Sequence, residues 1–322
     1  MSRPETAAET CPACGATDYR LMFRVRDTLC RSTDKLFSVV ECRTCRLLQL
    51  SPRPDPGELR HYYPTAYSRV PGGCARAPLA ESCREFLLRG HVRFTQRALE
   101  RSKAKGLVLD AGCGSGLFLK MMRARGYRGA GLAFSLRAAG VAWEENRVPA
   151  ACASLSNAPL ADESCAVITL FHVLEHLYEP LQYLETAHRL LCPEGRLIVQ
   201  VPNAASWQFL LLGERWRGLD VPRHLWNFKA SDLETLLDRS GFEVLRTKHF
   251  VLRDSPAYLA TSLAPGLDPL VREVQGIEES PRQEMVKDLL YSALFAACVP
   301  ITLLESACRA GCTVMIEARK KS

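Results

Sequence analysis

Apolar runs and amphipathic stretches alternate through the middle of the chain. Leu107-Val108-Leu109 ends in Asp110 and passes at once into Gly112, Gly114 and Gly116, three glycines at every second position. Leu117, Phe118, Met121 and Met122 then recur at helical spacing. This predicts a buried strand, a tight turn and a helix. The alternation returns downstream. An apolar strand, Ala166 to Phe171, leads to a helix with Leu181, Leu184, Ala187, Leu190 and Leu191 on one face. A turn at Cys192–Arg196 then opens the strand Leu197–Val201. Ser231 as N-cap, with Glu234 three positions on and Leu233, Leu236 and Leu237 on the apolar side, predicts a capped helix. Gly241-Phe242-Glu243-Val244 opens a further strand, and Cys312 to Ala318 reads as a last, antiparallel one. Strands that alternate with helices predict an α/β fold around a largely parallel sheet.

The spacing of the glycines separates nucleotide folds. A dinucleotide site reads G-x-G-x-x-G, and a P-loop needs G-K-[ST] after its glycines. Here the pattern is D-x-G-x-G-x-G, followed by Leu117-Phe118. It resembles the first motif of the class I S-adenosylmethionine-dependent methyltransferases. The order "strand, HVLEHL, helix, LxPxG, strand, VPN" over Ala166–Asn203 resembles the fourth and fifth strand region of the members that modify sugars, quinones and other small molecules. The resemblance covers about residues 106–250 and implies a Rossmann-like, seven-stranded sheet.

Two C-x2-C pairs, Cys11/Cys14 and Cys42/Cys45, stand ahead of this core. Two knuckles whose thiolates converge make a tetrahedral sulfur site that suits zinc. Four thiolates leave no position for water, so the ion is structural. Zinc ribbons of this kind precede the catalytic domain in some members of the resembled group. The organisation expected is a zinc ribbon at 1–60, a linker and leading helix at 61–105, and a methyltransferase core at 106–250. A helical insert at 251–310 and the last strand at 311–322 complete it.

Charge is unevenly placed. Residues 1–105 hold 19 Lys+Arg against 11 Asp+Glu, and the rest hold 23 against 24, so the excess of +7 lies ahead of the glycine turn. An arm that meets an anionic partner is one reading, and a solvated surface is the other. No dense basic-aromatic stripe accompanies it, so nucleic acid is not the expected partner. The longest apolar run, Leu289 to Leu304, contains Pro300 and is shorter than the ~20 residues of a membrane span, so a buried helix pair is expected, with a helix lying on a membrane surface as the alternative. The oligomeric state is open. No secretory leader opens the sequence, and Cys113, Cys165 and Cys298 sit in apolar segments as small hydrophobes. A reducing cytoplasm is the expected compartment.

The resemblance implies a site. Asp110 and the amides around Gly112, Cys113, Gly114 and Gly116 would face the methionine end of S-adenosylmethionine. Phe134 and Phe171 would flank the cofactor, Ser135 would cap the following helix, and backbone near Leu155 would meet the adenine. The acid that holds the ribose in the family is Ala133 here, and the acid opening the fourth strand is Ala166. Tyr62, Tyr63 and Tyr67 close over the cofactor, reach the acceptor or wedge between domains. Methyl transfer to a hydroxyl or an acidic carbon needs a proton acceptor, and histidine suits that role. His224, in a Pro-Arg-His-Leu loop after the fifth strand, is the first candidate, with Arg223 beside it for an anionic acceptor. His172 and His176 are the others. A helix starting at His172 would put His172, Glu175 and His176 on one face. These side chains line an acceptor pocket, hold a divalent ion with His224, or fasten the helix to its neighbours. The expected activity is methyl transfer to a small polar acceptor, a sugar or nucleotide-sugar. An RNA methyltransferase and a degenerate binding scaffold are the alternatives.

Overall fold

A computed structural model describes residues 10–11, 13–63 and 78–321. Tyr67 and the Pro71–Pro78 break lie outside them, save Pro78 itself. The amino-terminal module is a hairpin of β1 (Tyr19–Val25) and β2 (Phe37–Cys42), with β3 (Leu48–Ser51) paired antiparallel to β2. A short helix α1 (Pro56–His61), capped by Asp55 through the Gly57 and Glu58 amides, follows. Helix α2 (Pro78–Arg101) leads to the core strand β4 (Leu107–Ala111).

The core then alternates as its pattern demands: α3 (Leu117–Arg123), β5 (Gly129–Ala133), α4 (Leu136–Asn146), β6 (Ala150–Cys152), β7 (Cys165–Phe171), α5 (Pro180–Leu190) and β8 (Leu191–Pro202). Next come α6 (Trp207–Leu212), the two-residue β9 (Trp226–Asn227), α7 (Ala230–Arg239) and β10 (Phe242–Lys248). Helices α8 (Ser255–Leu263), α9 (Pro269–Val274) and α10 (Pro281–Ala307) form the insert before β11 (Thr313–Lys320). The seven-stranded sheet has the order β10-β11-β8-β7-β4-β5-β6, with β11 antiparallel to both its neighbours. Helices α2, α3 and α4 cover one face, and α5 and α7 the other. The strand order reverses between β4 and β7, so the crevice for a ligand lies outside the carboxyl ends of those strands.

Four local expectations are corrected. No helix starts at His172. That residue has φ +55, a left-handed conformation, and only a 3-10 turn over Leu174–His176 precedes α5. Helix α7 is capped at Lys229 rather than Ser231, because the Asp232 carboxylate accepts the Lys229 amide at 2.9 Å. The run Leu289–Leu304 is one continuous helix, not a buried pair. It carries Pro300 inside it, and most of it faces solvent. The amino-terminal module is also less separate than its sequence suggests. β9, which lies between β8 and α7 in the chain, pairs with β3 and completes a four-stranded sheet β1-β2-β3-β9.

Candidate active site and metal centre

The turn after β4 uses all three glycines in left-handed backbone: Gly112 at φ +94, Gly114 at +53 and Gly116 at +78. A Cβ on Gly112 would come within 2.7 Å of Val173 and 3.7 Å of the Phe134 ring, and one on Gly116 within 3.1 Å of Val148. Only glycine fits such positions. The amides of Gly112 and Cys113 both donate to the Leu132 carbonyl, at 2.8 and 3.0 Å, and that of Gly116 donates to Cys113. They are therefore spent on the turn. Gly114 and Ser115 are the amides of the bend left without a backbone partner among the described residues. Cys113 contributes packing rather than an open amide: its Sγ lies 2.3 Å from where a Cβ on Gly131 would be.

Asp110, next to last in β4, is almost fully buried, and its carboxylate accepts from the Thr169 hydroxyl at 2.7 Å. Burial pushes its pKa up to about 6, against the opposing pull of Thr169 and Arg253. Phe134 projects from the end of β5, 63% exposed, beside Gly112. Ser135 caps α4 through the Ala138 amide at 3.2 Å, as expected. The Leu155 side chain is wholly buried in the core, so only its backbone can meet a ligand. Phe171 packs edge-on against His91 and Phe118. Ala133, at the place of the ribose acid, is buried.

Despite the missing helix, the candidate histidines converge on Glu175. His172 Nδ1 lies 3.2 Å from Glu175 Oε1, and its Nε2 lies 3.5 Å from Asp254 and 2.8 Å from Gln200 Nε2. Burial opposes a charge on His172, but Asp254 and Glu175 outweigh it and raise its pKa to about 9. The rings of His176 and His224 meet edge-on at 4.7 Å between centroids. His224 Nδ1 donates to the Gly218 carbonyl at 2.8 Å, and its Nε2 faces Asp220 at 3.8 Å and Glu175 at 4.0 Å. Burial and the neighbouring His176 push His224 down to about 4, so it is neutral at pH 7 with Nε2 as an acceptor. His176 Nδ1 lies 2.9 Å from the Arg223 carbonyl and 3.0 Å from the Tyr63 hydroxyl. Tyr63 thus reaches the site, whereas Tyr62 packs on Phe37 and donates to Glu58.

Arg223 is not open to an acceptor. It is fully buried, forks onto Asp27 at 2.8 and 3.0 Å, and binds Asp220 at 2.8 Å. Asp27 sits between β1 and β2, so this pair ties the amino-terminal module to the histidine loop. Trp226 likewise packs, donating to Leu177 at 2.6 Å, and Trp216 is buried, while Trp207 remains 38% exposed. Sequence reasoning missed Gln200, Asp254 and His91, which together hold His172. Gln200 donates to Asp254 at 2.7 Å, and its Oε1 lies 2.7 Å from His91 Nε2. A glutamine between Val199 and Val201 in an all-apolar strand was the visible signal for one of them.

The four cysteine sulfurs form a second site, each within 4.8 Å of the others. Cys11 to Cys45 is 3.4 Å and Cys14 to Cys42 is 3.6 Å, far beyond a disulfide bond. Sulfurs on a tetrahedral ion with bonds of ~2.3 Å stand roughly 3.8 Å apart. Gly15 (φ +75) and Arg46 (φ +68) follow the two pairs in matching left-handed turns.

An open sheet with a reversal between β4 and β7, an antiparallel β11 and a glycine turn under the reversal defines the Rossmann-like class I methyltransferase fold. A profile described as "Methyltransferase domain" matches residues 83–247, just over half of the chain. The chain belongs to this methyltransferase-domain family. It is 31% identical over 163 residues to a probable S-adenosylmethionine-dependent methyltransferase of Mycolicibacterium smegmatis, covering 49% of this chain and 60% of that protein. Against a ubiquinone biosynthesis O-methyltransferase of Pseudomonas aeruginosa it is 26% identical, covering 42% and 64%. The chain thus spans about three-fifths of the length of these curated relatives. The structure of a chain from Galdieria sulphuraria assigned as a sarcosine dimethylglycine methyltransferase superposes with a TM-score of 0.52 at 15% identity, covering 82% of this chain and 98% of that one. That likeness is one of fold.

Proposed function

We propose that this protein transfers a methyl group from S-adenosylmethionine to a small polar acceptor of the sugar or nucleotide-sugar type. The observation that carries the reading is the bend at Gly112–Gly116 beside the buried Asp110, at the strand reversal of a methyltransferase-domain chain. The residues fit the donor's amino-acid end. Asp110 would pair with its ammonium group, the Gly114 and Ser115 amides would meet its carboxylate, and Phe134 offers a face to its adenine. The ribose end is less well met, because Ala133 has no carboxylate. When bound, the donor supplies the electrophilic methyl.

The protein's own task is then to orient the acceptor and take its proton. His224 is neutral and turns Nε2 toward Asp220 and Glu175, which suits it to accept a proton that these carboxylates then stabilise. Asp254 and Glu175 favour the charged form of His172, which disfavours it as the base. A groove of about 630 Å³ shares Trp216 and Asp220 with this region and is lined by Arg24, Arg26, Arg215 and Arg217. Guanidinium groups there suit an acceptor that carries phosphate. A second reading rests on one orphan: Glu175 Oε2 is buried without a hydrogen-bond partner among the described residues. Glu175, His176 and His224 offer ligand atoms within 4.8 Å of one another, which fits a divalent ion that would polarise the acceptor.

The test is calorimetry with S-adenosylhomocysteine on the full chain, followed by methyl transfer to a panel of nucleotide-sugars with and without added divalent cation. Saturable binding and a His224→Gln variant that binds but does not turn over are expected. No heat at millimolar ligand in a folded sample overturns the donor site. We also propose that the four thiolates hold one structural zinc per chain. Elemental analysis of metal-free folded protein would remove that module.

A further inference from the structure

The solvent face of α10 is apolar along most of its length. The helix has 27 residues and is thus about 40 Å long. From Leu289 to Leu304 no residue is charged. Leu289 is 64% exposed, Leu290 52%, Leu303 48% and Leu304 61%. The opposite face is committed to the protein: Cys298, Thr302 and Glu305 are buried, and Glu305 accepts from the Gln208 amide and side chain at 3.0 and 2.9 Å. Exposed apolar surface of this extent marks an interaction site.

We propose that this face pairs with the same face of a second copy, antiparallel, about a two-fold axis through the Ala296–Ala297 peptide bond. Solvent-facing positions are symmetric about that bond. Leu289 mirrors Leu304, Leu290 mirrors Leu303, and Ala293 mirrors Pro300. An axis there opposes each residue to its mirror, which is what a self-complementary two-fold interface requires. Alanines at the centre let the helix axes approach, while leucines fill both ends. One step further out, exposed Glu284 mirrors exposed Arg309, so the ends of the pair are complementary in charge.

The area suffices. Half the surface of a cylinder 40 Å long and 10–12 Å across is on the order of 700 Å². This approaches the roughly 800 Å² per partner of a standard interface. A lipid surface suits the face less well. Residues 278–288, at the helix's amino end, carry four acids and two bases, where a membrane-lying helix has basic flanks.

Sedimentation velocity of the full chain at micromolar concentration tests this, alongside flotation with phosphatidylcholine/phosphatidylglycerol vesicles. A dimer is expected, and Leu289→Asp with Leu304→Asp should weaken it at least about a hundredfold. Both sites are exposed, so far-UV circular dichroism should be unchanged. Glu284→Arg should weaken the dimer, and adding Arg309→Glu should restore it, a rescue specific to the antiparallel register. A monomeric wild type, whether or not it floats with vesicles, overturns the proposal. So does a dimer indifferent to the leucine substitutions. A dimer without charge rescue overturns the register.

Discussion

Lowering the pH should weaken donor binding through Asp110. With the site empty, burial holds this carboxyl at a pKa of about 6, well above its ordinary value. An ammonium group beside it favours the ionised form, so the pKa falls on binding. Binding then takes up no proton above pH 6 and must expel one below it. Affinity is full above the free-state pKa and is lost as pH falls through it. One unit below that pKa only about a tenth of the carboxyl is ionised, so affinity for S-adenosylhomocysteine should drop about tenfold between roughly pH 8 and pH 5. His172, near 9, and His224, near 4, titrate outside this window. Asp110→Asn keeps an acceptor for Thr169 but removes the charge. It should cost about 1.5–3 kcal/mol at neutral pH, roughly 10- to 150-fold, and flatten the pH profile. Calorimetry across the range measures both. A flat wild-type profile, or an Asp110→Asn profile with the wild-type slope, refutes the reasoning.

Other outcomes follow from the same geometry. Gly116→Ala places a Cβ at φ +78 within 3.1 Å of Val148 and 3.2 Å of Ala142, whereas Gly114→Ala at φ +53 meets nothing within 4 Å. Urea denaturation should show a loss of about 2–4 kcal/mol for the first and about 1 kcal/mol for the second; equal losses would contradict the packing argument. Asp27→Ala leaves buried Arg223 without its fork partner and should cost about 3–5 kcal/mol. Hydrogen exchange should then rise in β1 and β2 before it rises in β4, and a uniform rise would argue against a docking role. If the four thiolates hold an ion as proposed, chelation should loosen the same strands, seen as faster proteolysis within residues 13–51; unchanged cleavage would mean that the hairpin stands without metal.

The sheet was legible because each core strand is an apolar run bounded by a turn signal and followed by a helical period. The glycine turn was legible because three left-handed positions leave three glycines in the sequence. The cysteine pairs announced themselves by spacing. What escaped was decided by long-range contacts. His172 was expected to open a helix, but its amide is taken by the Gln200 carbonyl on the neighbouring strand. Arg223 seemed open to a ligand, and only the fold brings Asp27, far away in sequence, onto its fork. Leu289–Leu304 was expected inside, because composition alone cannot say which side of an apolar helix the protein covers. Asp254, which sets the charge of His172, carries no local mark, since it comes from the insert after the last core helix.

The two residues of β9 join parts of the chain that lie far apart in sequence. Trp226 and Asn227 follow the histidine loop by a single residue, yet their backbone is stitched to Leu48 and Gln49, next to the second cysteine pair. Cys42 of the cluster closes β2, so a slackening there would pass through β2 and β3 to this seam. On the reading proposed above, loss of an ion from the cluster would register as a misaligned base some distance away, and oxidants that attack thiols would silence catalysis without touching the reaction centre itself.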